Sequence, residues 1–395
     1  MFQSAPLDGL TILSFEHAIA GPLCTRQLAE LGARVIKIER RSSGDFARNY
    51  DDRVKGQSSH FIWTNRSKQS LTLDLKHKDS SEILKRLLKK ADVLVQNLAP
   101  MAMEKLGLDY DSLKGSYNKL IVCNISGYGP SGPYQNKKAY DLLIQAESGF
   151  LSVTGTEDEI AKSGISIADT AAGMHAFSAI LAAIIQRGKT GKGSRIDISM
   201  LEAMVEWMGF PLFYAYDGAS PPERTGSDHA SIYPYGIFHT QERNVILIGL
   251  QNHREWQIFC ELILEKPELI TDLRFADNAA RSANRADLRE IIQSLFSTLS
   301  STELCKKLDS AQIAFAKVNN MEEVWNHPQL KALNRIVSTQ TPHGIISSFK
   351  PPTNNSEFEP VLSSVPAVGE HSRNILEELG FEHDQIDWYF ANEVV

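Results

Sequence analysis

Short apolar runs separated by turn residues give the amino-terminal part of the chain a strand–helix–strand rhythm. Thr11-Ile12-Leu13-Ser14-Phe15 reads as a strand, Pro22 suits the first turn of a helix, Gly32 suits its exit, and Arg34 to Glu39 is a second strand. Leu71 to Leu75 and Asp92 to Gln96 flank a helix that starts at Asp79. Glu82 stands three residues on, a capping-box spacing, and Lys89 and Lys90 sit at the carboxyl end. Leu120 to Ile125 adds a strand after a helical stretch around Asp111 to Lys119. Strands alternating with helices predict a mainly parallel sheet covered on both faces.

Further on, Met174, Phe177, Leu181 and Ile184 recur at one-face helical spacing within Ala171 to Gln186. A strand (Arg195 to Ile198) and a helix rich in Met and aromatics (Met200 to Phe213) follow, and Asp217 to Pro222 breaks the pattern. Tyr235 to Phe238 and Val245 to Leu250 flank Gln241-Glu242-Arg243-Asn244 like a hairpin, and the chain to about Leu333 looks helical. The tail from Gln340 to Pro366, rich in Pro, Ser and Asn, reads as a strap that ends in a short helix around Ser372 to Leu379. The expected architecture is α/β: a Rossmann-like, doubly wound, mostly parallel sheet in a discontinuous large domain (1–215 and 335–395), with a linker (216–228) and a small α+β domain (229–334).

Composition adds limits. The 395 residues carry 41 Lys+Arg and 48 Asp+Glu, a net charge of −7, which argues against a nucleic-acid binder or a polybasic membrane binder while permitting a local cationic pocket. Cys24, Cys123, Cys260 and Cys305 lie too far apart for a CxxC or a Cys/His ligand spacing, so neither a disulfide scaffold nor a metal site is expected. The start MFQSAPLDG lacks the basic and apolar regions of a signal peptide, and Ala171 to Ile185 falls short of the roughly 20 residues of a membrane span. A cytoplasmic location is the expectation.

Glu39 ends the second strand where a ribose-binding acid of a dinucleotide site would sit. After the first strand, however, His17-Ala18-Ile19-Ala20-Gly21-Pro22 offers one glycine instead of three, so neither a nicotinamide nor a flavin is expected. Arg40 and Arg41, just past the second strand, suit either a phosphate or a solvated turn. Gly164 to Gly173 sets one carboxylate, Asp169, between an apolar approach and a small-residue helix start; it is either a reactive group or an N-cap. Tyr140-Asp141, His17, Arg40, Lys76, Lys105 and Lys138 belong to loops or ends of the same region and can converge on one cleft with it.

From Leu7-Asp8-Gly9 to Gly369-Glu370-His371-Ser372 the chain resembles the class III coenzyme A transferases, the CaiB/BaiF family. The matching pieces are Ala20-Gly21-Pro22, Leu31 to Glu39, Asn65-Arg66-Ser67-Lys68, Leu73-Asp74-Leu75-Lys76, Asp92 to Asn97, Gly127-Tyr128-Gly129 with Gly132-Pro133, and Ala168-Asp169 with Gly173-Met174. The resemblance implies that Asp169 attacks a donor acyl-CoA thioester to give a mixed anhydride. CoA thiolate then converts this to an enzyme–CoA thioester, which the acceptor acid enters by the reverse steps. It also implies that Arg40 lies beside the nucleotide, Leu73 and Lys76 line the adenine and phosphate region, and Asn97 and Leu98 run along the ligand. Lys105 stands where several relatives have Arg, Lys138 and Tyr140 lie near the pantetheine, and Ala18 and Ile19 form the loop over the thioester. Some relatives hold a Gln at the place of Ile19; His17 either substitutes for it or is a packed histidine.

The alternative within this fold is an α-methylacyl-CoA racemase, whose His-Asp pair matches Tyr140-Asp141; a Tyr with an ordinary pKa of about 10 is a poor proton shuttle. A non-catalytic CoA-binding protein is the alternative of another class. The stretch Arg224 to Gly236 has no long glycine run, which disfavours oxalate, and the sequence is similar to members using itaconate, mesaconate or citramalate with succinyl-CoA. Arg224 or His229 either holds a distal carboxylate or braces the small domain. The family's interlocked homodimer is expected as well.

Overall fold

The computed structural model describes residues 5–395. They form two compact units: the chain up to Ser148 with Ser163–Met208 and Lys331–Val395, and Gly149–Lys162 with Gly209–Leu330. The sequence pattern gave no sign that Gly149–Lys162 packs with the second unit. Long-range bonds put it there: Gly226 N–H donates to Gly155 O (2.7 Å), and the Arg224 guanidinium donates to Thr156 O and Glu157 O, both at 2.7 Å.

The first unit is built on six parallel strands, β1 (Thr11–Phe15), β2 (Arg34–Glu39), β3 (Lys68–Thr72), β4 (Val93–Gln96), β5 (Ile121–Ser126) and β6 (Arg195–Ser199). Their order is β3-β2-β1-β4-β5-β6, so the winding reverses between β1 and β4. β3 starts three residues earlier than its apolar run suggests, because it takes in the buried polar residues Lys68 and Ser70.

Helices α1 (Ala20–Glu30), α2 (Ser80–Lys90), α3 (Asp141–Glu147), α4 (Ile167–Thr190) and α5 (Met200–Trp207) cover the sheet. Asp79 N-caps α2 without a side-chain bond, so the anticipated capping box does not form. α2 packs with the helices Ser372–Glu378 and His383–Ala391 over a core of Leu13, Phe15, Ile36, Ile38 and Leu71. α4 is longer than its apolar spacing predicts. Its 24 residues pass a length-and-composition test for crossing a membrane, and Ala168, Ala171, Ala172, Gly173 and Ala176 along it are buried in this unit. It crosses α1 closely: a Cβ on Gly173 would stand 2.8 Å from Ala20 O.

The tail begins with an antiparallel hairpin, Ile336–Thr341 with Gly344–Phe349, that its polar composition concealed. Its extended remainder covers the free edge of β3: Ser67 N–H donates to Ser364 O, Gly369 N–H to Ser70 Oγ and Thr72 N–H to Ser372 Oγ. In the second unit β7 (Tyr235–His239) and β8 (Val245–Gly249) form the expected hairpin, with β9 (Ala314–Lys317) as an unanticipated third antiparallel strand. Their core is aromatic, with Trp256, Phe259, Phe275 and Phe296 fully buried.

Candidate active site

In an open doubly wound sheet, ligands bind outside the carboxyl ends of the strands, at the point where strand order reverses. Here that point lies between β1 and β4, and the loops leaving them are stitched together. His17 N–H donates to Asn97 Oδ1 (2.8 Å), and Asn97 Nδ2 donates to His17 O (2.9 Å). Leu98, half-buried, donates its N–H to Gln96 Oε1. Ala18 is left-handed at φ +60°, an uncommon conformation for a residue with a Cβ, and its N–H donates to Asp45 Oδ1 (3.2 Å). Ile19 is buried and N-caps α1. Arg40 follows β2, and Leu73 and Lys76 follow β3, so both loops open at the same sheet edge. Arg40 and Lys76 are exposed, as are Lys105, on a short helix after β4, and Lys138; Leu73 is buried in the core.

Asp169 sits in the first turn of α4, and it is not the cap. The N-cap residue, Ser166, makes no side-chain bond. Capping comes instead from Asp141 at the start of α3, whose Oδ1 accepts from the N–H groups of Ala168 (2.8 Å) and Asp169 (3.2 Å), while Oδ2 accepts from Gln145 Nε2. Burial, and then the charge of Asp141, push the half-buried Asp169 carboxyl up to about 7. Tyr140, next to Asp141, is 68% exposed.

One helical turn beyond Asp169, a Cβ on Gly173 would stand 2.8 Å from Ala20 O, so the start of α1, which the His17–Ile19 loop leads into, packs on the face of α4 that carries Asp169. Burial, and then the charges of Asp45, Asp169 and Tyr140, hold the Tyr50 phenol up to about 12. The His17 ring stacks on Phe46 (5.1 Å between centroids) with its Nδ1 3.7 Å from Asp45 Oδ1, and Tyr50 meets the edge of His60. Asp45, Phe46 and Tyr50 went unrecognised in the sequence reading.

Beneath this loop lies a fully buried ionic cluster. Lys37 Nζ donates to Asp45 Oδ2 (2.8 Å), and Lys68 Nζ donates to Glu16 Oε1 (2.7 Å), Pro22 O and Asn65 Oδ1. Thr25 Oγ1 donates to Glu16 Oε2 (2.7 Å). Burial opposes the charge of Glu16, but Lys68 and Lys37 outweigh it and hold the carboxyl below its usual range; Asp45 is depressed in the same way by Lys37. Burial brings Lys68 down to about 8 in spite of Glu16. A signal for this cluster was present in the sequence, since a lysine in the middle of a strand covered on both faces has to be buried and requires an acid.

Arg224 and His229 lie in the second unit. Arg224 is bonded to the backbone of residues 156–157, as described above, while the His229 ring stacks on Tyr235 and its Nδ1 accepts from the N–H groups of Ser231 and Ile232. Both side chains thus brace their own unit. Among the described residues no group of three or more His, Cys, Asp or Glu is arranged to hold a metal.

Sheet order, the loops at the switch point and a carboxyl raised by burial at the start of a long helix describe an α/β protein of the open, doubly wound kind. The model of CoA-transferase family III matches residues 7–372. Succinyl-CoA:glutarate CoA-transferase of Mus musculus is 32% identical over 99% of this chain and 90% of its own length. Acetyl-CoA:oxalate CoA-transferase of Acetobacter aceti is 32% identical over 85% of this chain and 86% of its own. A CaiB/BaiF family protein from Brucella suis superposes with a TM-score of 0.84 at 32% identity, covering 95% of this chain and all of that one. The chain belongs to CoA-transferase family III and is a CoA-transferase.

Proposed function

We propose that this enzyme moves CoA from a donor acyl-CoA to a short dicarboxylic acid, with succinyl-CoA and glutarate as the first pair to test, through a covalent thioester on Asp169. The observation that carries this reading is the Asp169 carboxyl itself, desolvated, facing a second carboxylate and raised to about 7. A poorly solvated carboxylate is a stronger nucleophile than a hydrated one, and acylating it conserves the energy of the thioester without ATP. The named relatives support a dicarboxylate: one is named for succinyl-CoA and glutarate and another for oxalate.

In the first half-reaction the Asp169 carboxylate adds to the thioester carbonyl and expels CoA thiolate; the thiolate then attacks the aspartyl carbonyl, releasing the donor acid. The acceptor carboxylate reverses both steps. Asp141 holds the amino end of α4 and keeps Asp169 turned into the site. Asp141 spends its oxygens on Ala168, Asp169 and Gln145, a capping role, and the Tyr140 beside it is a poor proton shuttle, which counts against racemisation. The exposed cations Arg40, Lys76, Lys105 and Lys138 suit the CoA phosphates. A panel of acyl-CoA donors and free acids, followed by mass spectrometry of new thioesters, tests this reading. Glutaryl-CoA formed from succinyl-CoA supports the pair, and solvent deuterium at the α-carbon of a branched acyl-CoA without CoA exchange overturns transfer.

A further inference from the structure

The His17–Ile19 loop leads into the end of α1 that packs on α4 one turn beyond Asp169, and contacts from elsewhere in the chain hold it there. Ala18 stands at φ +60°, which a β-carbon disfavours. The conformation is held from two sides, by Asn97 on the His17 backbone and by Asp45 Oδ1 on the Ala18 N–H. Asp45 is held in turn: Oδ1 also accepts from Ala47 N–H (2.9 Å), and Oδ2 is tied to Lys37, which is wholly buried. Lys37's other acidic neighbours are less well placed: the nearer Glu16 oxygen is 3.5 Å away and already bonded to Lys68, and Glu39, whose charge also acts on Lys37, is paired with Arg48. The chain from the buried lysine to the loop is therefore continuous and lies within one unit.

We propose that Asp45 is a positioning residue whose carboxylate, tethered by Lys37, keeps the Ala18 loop closed over the acylated Asp169 and so excludes water from it. The inference rests on the covalent reading of Asp169. In the reaction being suppressed, water adds to the aspartyl carbonyl of the enzyme–CoA thioester and the carbon–sulfur bond breaks. Asp169 returns as carboxylate, CoA leaves as the free thiol, and one proton is released to solvent.

The readout is the ratio of free thiol released to new acyl-CoA formed, which does not depend on how much enzyme is folded. Asp45→Ala is expected to raise that ratio at least about tenfold. Asp45→Asn, whose amide oxygen can still accept from the Ala18 N–H but which loses the Lys37 tether on its other side, is expected to raise it by an intermediate amount, about threefold. Glycine adopts a positive φ without help, so adding Ala18→Gly to Asp45→Ala should bring the ratio back toward wild type, which a merely structural role of Asp45 would not do. Should Asp45→Ala fail to fold, Lys37→Met, which releases the tether, is read in the same way. Wild type is first treated with hydroxylamine during turnover. An unlabelled Asp169 overturns the covalent reading itself; a labelled Asp169 with unchanged ratios in the folded variants overturns the role of Asp45 alone.

Discussion

Two sets of carboxylates in the first unit are treated in opposite ways. Glu16, Glu39 and Asp45 each meet a cation: Lys68 at 2.7 Å, Arg48 at 2.7 Å and Lys37 at 2.8 Å. All three are held below their ordinary range. Asp169 meets another carboxylate, and among the described residues no ion pair reaches it; burial and Asp141 raise it to about 7. Paired charges fix the backbone around the site, and in the mechanism proposed above the unpaired one is the nucleophile.

Removing the unpaired charge should have the largest effect on chemistry. Asp169→Ala is expected to lower transfer by at least about 10³-fold while leaving CoA binding within a few-fold, since the group lost acts in bond making. Steady-state kinetics and calorimetric titration with CoA check both halves. Breaking the paired set should have the largest effect on stability. Lys68→Met leaves Glu16 buried with only the more distant Lys37 and should destabilise the fold by about 3–5 kcal/mol, while Lys68→Met with Glu16→Gln should recover most of that loss. Denaturant unfolding measures both.

Much of the fold was legible in the sequence, and the reasons are local. β1 coincides with its apolar run because a strand buried on both faces is apolar nearly throughout, and β2 was legible from Val35, Ile36 and Ile38 although Lys37 and Glu39 are buried with them. β3 was misread because Lys68 and Ser70 are buried by partners far away in sequence. The tail hairpin was hidden by Ser, Thr and Gln that bond to one another rather than to water, as Thr339 does with Ser348. Asp169 was legible as a carboxylate at a helix start, but its two readings could be separated only once Asp141, 28 residues away, was seen to cap the helix instead. Asp45 stood beyond reach because its role depends on Lys37 beneath it and Ala18 above it.

Smaller effects sharpen the contrast. Gly173→Ala would force a Cβ to 2.8 Å from Ala20 O and should cost about 1–3 kcal/mol through a shift of α1 against α4. Thermal unfolding reads the loss, and a lowered kcat at unchanged KM for CoA would locate it at the crossing. Asp169→Asn should be more stable than wild type above pH 7. A carboxyl raised in the folded state binds a proton there that the unfolded chain has already lost, so wild-type stability falls as pH rises from about 4 to about 7. Allowing for the partial exposure of the carboxyl, the gain should be about 2 kcal/mol at pH 8 and should vanish near pH 4. For the same reason kcat/KM should rise with pH to a plateau just above 7, as the free enzyme's Asp169 ionises.

The most direct test is to trap the enzyme with hydroxylamine while succinyl-CoA turns over and to map the modified peptide by mass spectrometry. The account predicts a hydroxamate on Asp169 and on no other acid, dependent on the acyl-CoA. Sustained CoA exchange with Asp169 unmodified would contradict it.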